Sequence, residues 1–363
     1  MRILAVAGAS GGHIFPAVGF LDDFKAAYPD TRTLLILSRR AMGKGFDTGG
    51  HSVRVISVSN LSLRPSARNI VAGMNFLKGF FESIVILAQF KPDIVVGFGS
   101  IASIPVLVCA WLFRTTVLIH EQNVLPGRAN RFLAFISDRI AVSFSETAGY
   151  FSSHRSTVVL TGNPVRKGLV RIEKSKALDH FGLPAGRRTI LVMGGSQASR
   201  QINFSFARTF RALRLRDDLQ VIHLCGTADK DILEKEYAPC ATSVRLVPFL
   251  GDMQYAYSAA DLVISRAGAT TIAELMKYRM PAILIPYPHA YAHQDLNAHV
   301  LARVGCAVIV RDADLAGGAL HDALHSIMQA DTPLENMKLA YDRFAVDKHL
   351  SLVEEAIKIH SHD

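Results

Sequence analysis

Cysteine and aromatic residues are scarce in this sequence of 363 residues, and each scarcity excludes a class of protein. The four cysteines are Cys109, Cys225, Cys240 and Cys306, and none forms a C-x-x-C pair or stands near histidine at metal-ligand spacing. This pattern predicts no disulfide framework and no metal site, and it indicates a reducing cytoplasm. Aromatic residues make up 8% against 50% hydrophobic residues, which favours an α/β protein with a large core.

Long hydrophobic runs are missing as well. The most apolar stretch, residues 101–113, is shorter than the roughly 20 residues that a membrane-spanning helix needs. The opening MRILAVAGAS has only about six apolar residues before its glycines, which is typical of a buried strand and not of a signal peptide. We therefore expect no spanning segment, although the chain can still lie on a membrane surface.

Acidic residues are outnumbered, and the imbalance is concentrated in the first half. The net charge is +9, and residues 1–166 hold 17 Lys and Arg against 9 Asp and Glu. A basic half indicates an anionic partner such as a lipid, a phosphorylated ligand or nucleic acid, or simply a solvated surface. Aromatic stacking motifs for nucleic acid are absent, so we expect no nucleic acid partner.

Short apolar runs rich in Val, Ile and Leu alternate with helical patterns along the chain. Continuous apolar strands between helices are typical of parallel sheets covered on both faces, and about six per half predict two doubly wound α/β domains. The runs are residues 3–7, 33–37, 53–58, 93–96, 116–119, 139–142, 189–193, 220–224, 243–247, 262–264, 282–285 and 307–310. Gly and Pro break the pattern at 162–166, and helical patterns close the chain from about 335 to 359.

Two glycine-rich segments each follow the first strand of a half and precede a helix. They are GASGGH at 8–13 and GGSQASRQIN at 194–203. Glycine lets the backbone turn tightly and approach a ligand, and the following helix start attracts phosphate. Neither segment is a Walker loop or G-x-G-x-x-G, and either alone is an ordinary strand-to-helix turn. As a pair they predict anion-binding edges on both sheets.

Three further segments carry clustered polar residues. They are HEQNVLPGRAN at 120–130, GNPVR at 162–166, and the long SRAGATTIAELMKYRMPAILIPYPHAYAHQDLNA at 265–298. In the last, Ala269, Thr270 and Thr271 begin a helix whose free N–H groups suit a diphosphate, and Glu274 offers two acceptor oxygens to a ribose diol. His289, His293, Gln294, Asp295 and Asn297 have the right chemistry to bind sugar hydroxyls, or else form a solvated helix start.

These five segments, in this order, resemble the MurG family of bacterial N-acetylglucosamine transferases over nearly the whole length. The resemblance implies a GT-B fold, that is, two doubly wound Rossmann-like domains with a cleft between them, an inverting mechanism, and no metal or cofactor. It implies transfer of GlcNAc from UDP-GlcNAc to the C4 hydroxyl of lipid-linked MurNAc (lipid I), giving lipid II for peptidoglycan synthesis. The N-terminal acceptor domain is expected at 1–163, joined by the last helix at 348–363, and the C-terminal donor domain at 164–347.

The resemblance also assigns site residues. The donor site implied is lined by Ser10, Gly11, Gly12, Asn123, Arg166, Ser196, Leu250, Ala269, Thr270, Thr271, Ile272, Ala273, Glu274 and Gln294. Leu250 would contact uracil by its backbone, and Gln294 would contact the sugar. For the general base we favour His13, because imidazole in general titrates close to neutral pH, with Glu121 as the alternative.

The sequence departs from the family pattern at a few positions. Ala9 and Ser10 stand where the first loop usually has Gly and Thr, and Ala198 and Ser100 each stand at a glycine. His293 replaces the first Gln of a Gln-Gln pair. We expect these changes to affect the acceptor side most, because Ser100 lies in the loop after the fourth strand.

A predicted helix over 70–87 has the pattern of a membrane-contacting surface. Ile70, Met74, Leu77, Phe80 and Phe81 recur at helical spacing, with Arg64, Arg68 and Lys78 nearby. Such a helix can rest on an anionic bilayer or pack on the sheet as a core helix. With the resemblance, we expect a peripheral protein on the cytoplasmic face of the bacterial inner membrane.

Two other functions remain open from the sequence. One is a diacylglycerol glycosyltransferase of similar fold, which HEQN and GNPVR disfavour. The other is a non-catalytic subunit that binds a nucleotide sugar, which the substitutions at Ala9, Ala198 and Ser100 would allow. Turnover by the purified single chain separates a transferase from the second alternative.

Overall fold

Two parallel β-sheets organise the chain, one in each of two compact units. The first unit comprises Met1–Lys167 and Lys348–Asp363, and the second comprises Gly168–Asp347. The computed structural model describes residues 1–43, 45–58, 67–195, 198–213, 218–239, 244–288, 293–344 and 351–361, without the side chains of 67–68 and 153–157.

The sheet of the first unit has seven strands in the order β3-β2-β1-β4-β5-β6-β7, all parallel. They are β1 (Arg2–Ala7), β2 (Arg32–Ser38), β3 (Ser52–Ile56), β4 (Ile94–Gly97), β5 (Thr116–Glu121), β6 (Arg139–Val142) and β7 (Val158–Leu160). The sequence predicts about six strands for this half and misses β7, a half-buried edge strand of only three residues.

In the described part of the chain, five α-helices cover this first sheet. They are α1 (Gly11–Ala27), α2 (Ala67–Phe90), α3 (Ser103–Leu112), α4 (Arg128–Leu133) and, from the end of the chain, α13 (Leu352–His360). Ser351 and Glu354 form a capping box that begins α13. Its Leu352, Ala356 and Ile359 are buried in the core of the first unit. The last helix therefore folds with the N-terminal sheet because its apolar face belongs to that core.

The second unit repeats the architecture with six parallel strands in the order β10-β9-β8-β11-β12-β13. They are β8 (Arg188–Met193), β9 (Leu219–Leu224), β10 (Val244–Val247), β11 (Leu262–Ser265), β12 (Ala282–Leu284) and β13 (Ala307–Ile309). The helices are α5 (Lys174–His180), α6 (Arg200–Ala212), α7 (Lys230–Tyr237), α8 (Met253–Ala259), α9 (Ala269–Tyr278), α10 (His293–Ala302), α11 (Ala319–Met328) and α12 (Thr332–Leu339). The helical segment expected from 335 to 359 is thus divided, with 345–350 outside the described residues.

Strand order fixes where each unit can bind a ligand. In both sheets the order reverses beside the first strand, between β1 and β4 and between β8 and β11. Ligands of doubly wound sheets bind at such a reversal, outside the carboxyl ends of the strands. The loops that leave those ends are 8–10 and 98–102 in the first unit, and 194–199 and 266–268 in the second.

Helix α2 corrects the expectation that no segment is long enough to span a membrane. Its Asn69–Phe90 stretch has 22 residues and a mean hydropathy of 1.6, enough to cross by length and composition alone. One face of the helix packs on the sheet, since Leu87 is buried in the core and Phe76, Phe80, Ile86 and Phe90 pack against it. A helix held to its own sheet along one face presents only the opposite face to its surroundings.

Candidate active site

The first glycine loop places His13 at the start of α1, beside the carboxyl ends of β1 and β4. Ser10 precedes the helix in extended conformation, and its carbonyl accepts the N–H groups of His13 and Ile14 at 3.0 Å each. The imidazole lies against glycine on two sides: a Cβ at position 8 would be 3.2 Å from its Cδ2, and one at position 99 would be 3.3 Å from its Cε1. Glycine at both positions makes room for the ring.

A chain of hydrogen bonds runs from His13 into the core of the first unit. His13 Nδ1 lies 3.3 Å from Gln122 Oε1, and Gln122 Nε2 lies 3.0 Å from His120 Nδ1. His120 Nε2 in turn lies 2.9 Å from the carbonyl oxygen of Gly162. His120 is fully buried and packs against the ring of Phe98. Burial lowers the pKa of His120 to about 4, so its ring is neutral at neutral pH.

Glu121 is buried and its carboxylate is fully engaged in holding the loop that follows β5. One oxygen accepts the backbone N–H and the side-chain amide of Asn123, at 2.9 and 3.2 Å. The other accepts the N–H of Gly127 and the amide of Asn130, at 3.0 and 2.8 Å. These four bonds suit a structural anchor, and they favour His13 over Glu121 as the base.

Arg166 packs on the first helix of the same unit. Its guanidinium lies over the ring of Phe15, 4.3 Å from the centroid. The backbone approaches α1 closely here, since a Cβ at Gly19 would lie 3.1 Å from the carbonyl of Val165. The GNPVR segment is thereby held against α1, and Arg166 and His13 both belong to the environment of that helix.

The substitution at Ser100 leaves a backbone conformation that favours glycine. Ser100 has φ of 73°, in the left-handed region. Its side chain packs against Gly8, where an added Cβ would lie only 2.5 Å from Ser100 Cβ. Glycine at 8 therefore leaves room for the side chain of Ser100.

In the second unit the glycine loop passes from β8 to α6. A Cβ at Gly194 would lie 2.2 Å from the backbone nitrogen of Ser199, so only glycine fits there. Ser199 caps α6, its hydroxyl accepting from Ile202 N at 3.5 Å. Ser196, expected in the donor site, lies outside the described residues, as do Gln197 and His289.

Ala198 has φ of 56°, so the second departure also stands in the left-handed region. We expect Ala198→Gly to raise the free energy of unfolding of the second unit by about 1 kcal/mol, because it relieves that strain. Ala212→Gly, at the exposed last residue of α6, is the matched control and should be neutral or destabilising. Thermal unfolding of both variants measures the difference. Destabilisation by Ala198→Gly would contradict the strain argument.

Helix α9 begins at Ala269 with Gly268 as its N-cap, as expected. The first N–H groups of a helix have no acceptor within it, so those of Ala269, Thr270 and Thr271 are suited to an anion. Ile272 differs, because its N–H bonds to Gly268 O at 2.9 Å and its side chain is buried. The side chain of Ile272 therefore belongs to the core, and its expected place in the donor site stays a prediction.

Glu274 is buried one turn into α9, where it accepts a hydrogen bond from the hydroxyl of Tyr257 at 2.7 Å. Ala273 is half-buried beside it, and Leu250 is half-buried in the loop after β10. Tyr257 also stacks on Tyr278, with ring centroids 5.1 Å apart. The hydrogen bond from Tyr257 holds one carboxylate oxygen of Glu274 and so fixes the orientation of the side chain.

Gln294 lies in the first turn of α10 and ties two loops together. Its Oε1 accepts the backbone N–H groups of Ala267 at 3.2 Å and Tyr287 at 2.9 Å. Its amide nitrogen is the group left to meet a ligand. The side chain was expected to contact sugar, and its position beside Ala267 is compatible with that role, which stays a prediction.

Arg266 is a buried residue whose hydrogen bonds join several loops, a role that the sequence does not predict. It donates to Asp312 Oδ1 at 2.5 Å, to Ser199 Oγ at 2.9 Å, and to the carbonyls of Ile285 and Pro286 at 3.2 and 3.3 Å. One guanidinium therefore links the loops after β8, β11 and β12. A lone arginine at a strand end carries no sequence signal for so many long-range partners.

No group of three or more His, Cys, Asp or Glu side chains with metal-binding geometry occurs among the described residues. The loops at the carboxyl ends of the two sheets present helix N–H groups, arginine guanidinium groups, side-chain amides and an imidazole. This set suits a phosphorylated ligand and proton transfer.

Known proteins match both units. The N-terminal domain model of glycosyltransferase family 28 matches residues 3–142, and its C-terminal domain model matches residues 189–353. A transferase from Thermodesulfovibrio yellowstonii is 35% identical over 99% of both chains, and one from Bacillus licheniformis is 36% identical over 93% of both. The chain belongs to glycosyltransferase family 28. Both relatives are named UDP-N-acetylglucosamine–N-acetylmuramyl-(pentapeptide) pyrophosphoryl-undecaprenol N-acetylglucosamine transferase.

Solved structures agree with the family 28 fold. A crystal structure of Acinetobacter baumannii MurG has a TM-score of 0.74 at 24% identity, covering 100% of this chain and 99% of that one. A Staphylococcus aureus MnaA structure with UDP has a TM-score of 0.69 at 11% identity, with coverage of 98% and 94%. The expected GT-B fold with two doubly wound domains is thereby confirmed. The assignment as a glycosyltransferase is confirmed by the family 28 domain models and the named relatives.

Proposed function

We propose that this family 28 enzyme transfers GlcNAc from UDP-GlcNAc to the C4 hydroxyl of MurNAc in undecaprenyl-pyrophosphoryl-MurNAc-pentapeptide, giving lipid II for peptidoglycan synthesis. The observation that carries the proposal is the full-length similarity, at 35% identity over 99% of both chains, to a protein named for this reaction. The chemistry of the two loop edges supports it, since each unit supplies a different part of what the transfer needs.

The second unit supplies groups for the donor. The N–H groups of Ala269, Thr270 and Thr271 would hold the diphosphate, and Glu274 would accept from the ribose hydroxyls. The amide nitrogen of Gln294 would donate to the sugar. Fixed dipoles of this kind stabilise the negative charge that develops on departing UDP without reorganising.

The first unit supplies the group for proton transfer. As the acceptor hydroxyl attacks the anomeric carbon, its proton passes to Nε2 of His13, the bond between the sugar and UDP breaks, and the configuration inverts. Among the described residues no hydrogen bond is formed by Nε2 of His13, so this lone pair is open to a substrate. Arg166 adds positive charge to the first unit, where its guanidinium lies over Phe15 of α1.

A transfer assay with the purified chain tests this function. Labelled UDP-GlcNAc, UDP-glucose and UDP-galactose are offered separately with lipid I, and in parallel with diacylglycerol. We expect product only from UDP-GlcNAc and lipid I. Transfer to diacylglycerol would establish the lipid glycosyltransferase alternative, and UDP-GlcNAc binding with no transfer would establish the non-catalytic alternative.

We propose further that the enzyme binds the cytoplasmic face of the bacterial inner membrane through one face of α2. This membrane face consists of Ile70, Met74, Leu77 and Phe81, which are between 63% and 71% exposed. Phe80 was expected to belong to it, but the structure turns it inward, where it packs on the core and on Phe76 at a ring distance of 5.3 Å. Its position, one residue from Phe81, places it on the adjacent side of the helix.

The exposed apolar surface continues beyond α2. Five further apolar side chains are between 49% and 76% exposed: Trp111, Leu112 and Phe113 at the end of α3, and Phe132 and Phe135 around α4. Helix α3 packs against both α2 and α4, so the three helices cover the same side of the sheet. Lys78, Arg114 and Arg131 are exposed on these elements, whereas Arg64 and the side chain of Arg68 lie outside the described residues. Apolar anchors beside basic side chains suit an anionic bilayer.

Charges placed on the membrane face are expected to abolish membrane binding. Leu77→Glu/Phe81→Glu inserts two carboxylates into this face without touching the core, and liposome flotation with anionic vesicles measures the loss. Val170→Glu/Leu339→Glu is the matched control, because both residues are 63% exposed but lie in the second unit. Flotation of the first variant at the level of the control would refute the proposed face.

A further inference from the structure

We propose that Gln122 and His120 act as a tautomer relay, which holds the proton of His13 on Nδ1 and keeps Nε2 as the lone-pair nitrogen. The inference deepens the proposed function, and it rests on that function only in taking His13 as the base. Gln122 and His120 are positioning residues here, since neither is placed in contact with substrate.

The relay begins at a group whose role is fixed. The carbonyl of Gly162 can only accept, so Nε2 of His120, 2.9 Å away, carries a proton. A neutral imidazole has one N–H, and the low pKa of His120, about 4, keeps the ring neutral at neutral pH. Its Nδ1 is therefore an acceptor.

The acceptor on His120 fixes the orientation of the Gln122 amide. Gln122 Nε2 lies 3.0 Å from His120 Nδ1 and also 3.0 Å from the carbonyl oxygen of His120. Both partners are acceptors, and only the NH₂ end of the amide can donate to both. The reversed amide would set its oxygen against two lone pairs inside the core, at the cost of two buried hydrogen bonds.

With its nitrogen committed to His120, Gln122 presents its oxygen to His13. Oε1 lies 3.3 Å from His13 Nδ1, and an amide oxygen can only accept. The neutral His13 ring therefore carries its proton on Nδ1. Because Gln122 is buried, it cannot exchange this partner for bulk water. Nε2 is left as the basic nitrogen, which is the form that general-base catalysis requires.

The relay has a function because imidazole in water favours the opposite tautomer, with the proton on Nε2. In that form the nitrogen open to a substrate would be a donor and could not take a proton. Orienting partners of a catalytic histidine act in this way elsewhere, where loss of the partner gives the wrong tautomer. Here the partner that selects the tautomer among the described residues is a neutral amide, that of Gln122.

The direct test reads the tautomer in the unmodified enzyme. Nitrogen NMR of protein labelled with ¹⁵N-histidine distinguishes protonated from unprotonated ring nitrogens, and His13→Gln identifies the signals of His13. We expect His13 with the proton on Nδ1 and His120 with the proton on Nε2. A His13 signal with the proton on Nε2 overturns the proposal, whether or not the enzyme transfers GlcNAc.

Removal of the relay supplies the second arm. Gln122→Met keeps the length of the side chain but cannot accept a hydrogen bond from His13. We therefore expect His13 to shift towards the tautomer with its proton on Nε2. We expect kcat to fall by about 10- to 100-fold, with UDP affinity unchanged. Ser143→Ala is the control, since it removes another buried hydrogen bond at the same strand ends, from Ser143 Oγ to Glu121 O at 3.0 Å. An unchanged kcat in Gln122→Met, or an equal loss in Ser143→Ala, would refute the catalytic role.

These arms separate failure of the relay from failure of the proposed function. Absence of GlcNAc transfer by the wild type, with the expected tautomers present, would refute the function and leave the relay standing. If the first unit of Gln122→Met does not fold, as shown by loss of its Trp111 fluorescence transition, the tautomer in the wild type still decides the proposal.

Discussion

Replacing His13 with alanine is expected to lower kcat by about 10²- to 10⁴-fold, the usual contribution of a positioned acid or base. The acceptor hydroxyl must lose its proton as it attacks, and His13 places an imidazole that is not fully buried at the carboxyl edge of the first sheet. UDP affinity should be unchanged, because the groups proposed to bind the diphosphate and ribose belong to the second unit. Single-turnover transfer and calorimetric titration of UDP measure the two quantities.

The control for His13→Ala is His360→Ala, the same change at the exposed last residue of α13 in the same unit. It should leave both turnover and UDP binding as in the wild type. Near-normal turnover by His13→Ala would move the base elsewhere. The four hydrogen bonds already accepted by Glu121 argue against that carboxylate, so such a result would direct attention to other groups on the acceptor side.

The parts of the fold that the sequence predicts are those with local signals. Runs rich in Val and Ile and bounded by glycine predict the long central strands. Gly8 and Gly194 lie at positions where a side chain would not fit. The short strand β7 is identified by its pairing with β6 rather than by its own sequence. Phe80 and Phe81 show a similar limit, because adjacent aromatic residues suggest one apolar face and only packing shows that they lie on different sides of α2.

The site residues also divide into those with a local sequence signal and those placed only by long-range contacts. The helix start at Ala269 can be placed from the strand that precedes it and the small residues that follow. The contacts of Gln122 and Arg266 cannot, because they join residues far apart in the chain: Gln122 meets His13 and Arg266 meets Asp312. Hydrogen-bond direction is also invisible in the sequence. The tautomer of His120 follows only from its contact with the carbonyl of Gly162, which can accept but not donate.

Arg266→Met is expected to destabilise the second unit by about 3–5 kcal/mol. The substitution keeps the apolar length of the side chain but leaves Asp312 buried without its cation. It also removes the donor for Ser199 and for the two carbonyls after β12. Arg211→Met is the matched control, because its ion pair with Glu236 is exposed and should contribute about 0–1 kcal/mol.

The measurement must report on the second unit alone. The single tryptophan is Trp111, which lies in the first unit, so its fluorescence would follow the wrong transition. Hydrogen exchange of the amides in β8, β11 and β12 follows the right one. Equal exchange in Arg266→Met and Arg211→Met would show that the buried pair does not hold these strand ends.

A second substitution distinguishes the loss of a favourable pair from the cost of an abandoned charge. In Arg266→Met/Asp312→Leu both charges are gone, and apolar side chains of similar size occupy their places. Because the cost of breaking a buried pair comes mainly from the charge left behind, we expect the double variant to recover most of the stability. Activity should not recover with it, since neither methionine nor leucine can donate to Ser199 and to the carbonyls of Ile285 and Pro286. Recovered stability with lost turnover would therefore assign Arg266 to the alignment of the three donor-side loops rather than to the stability of the fold.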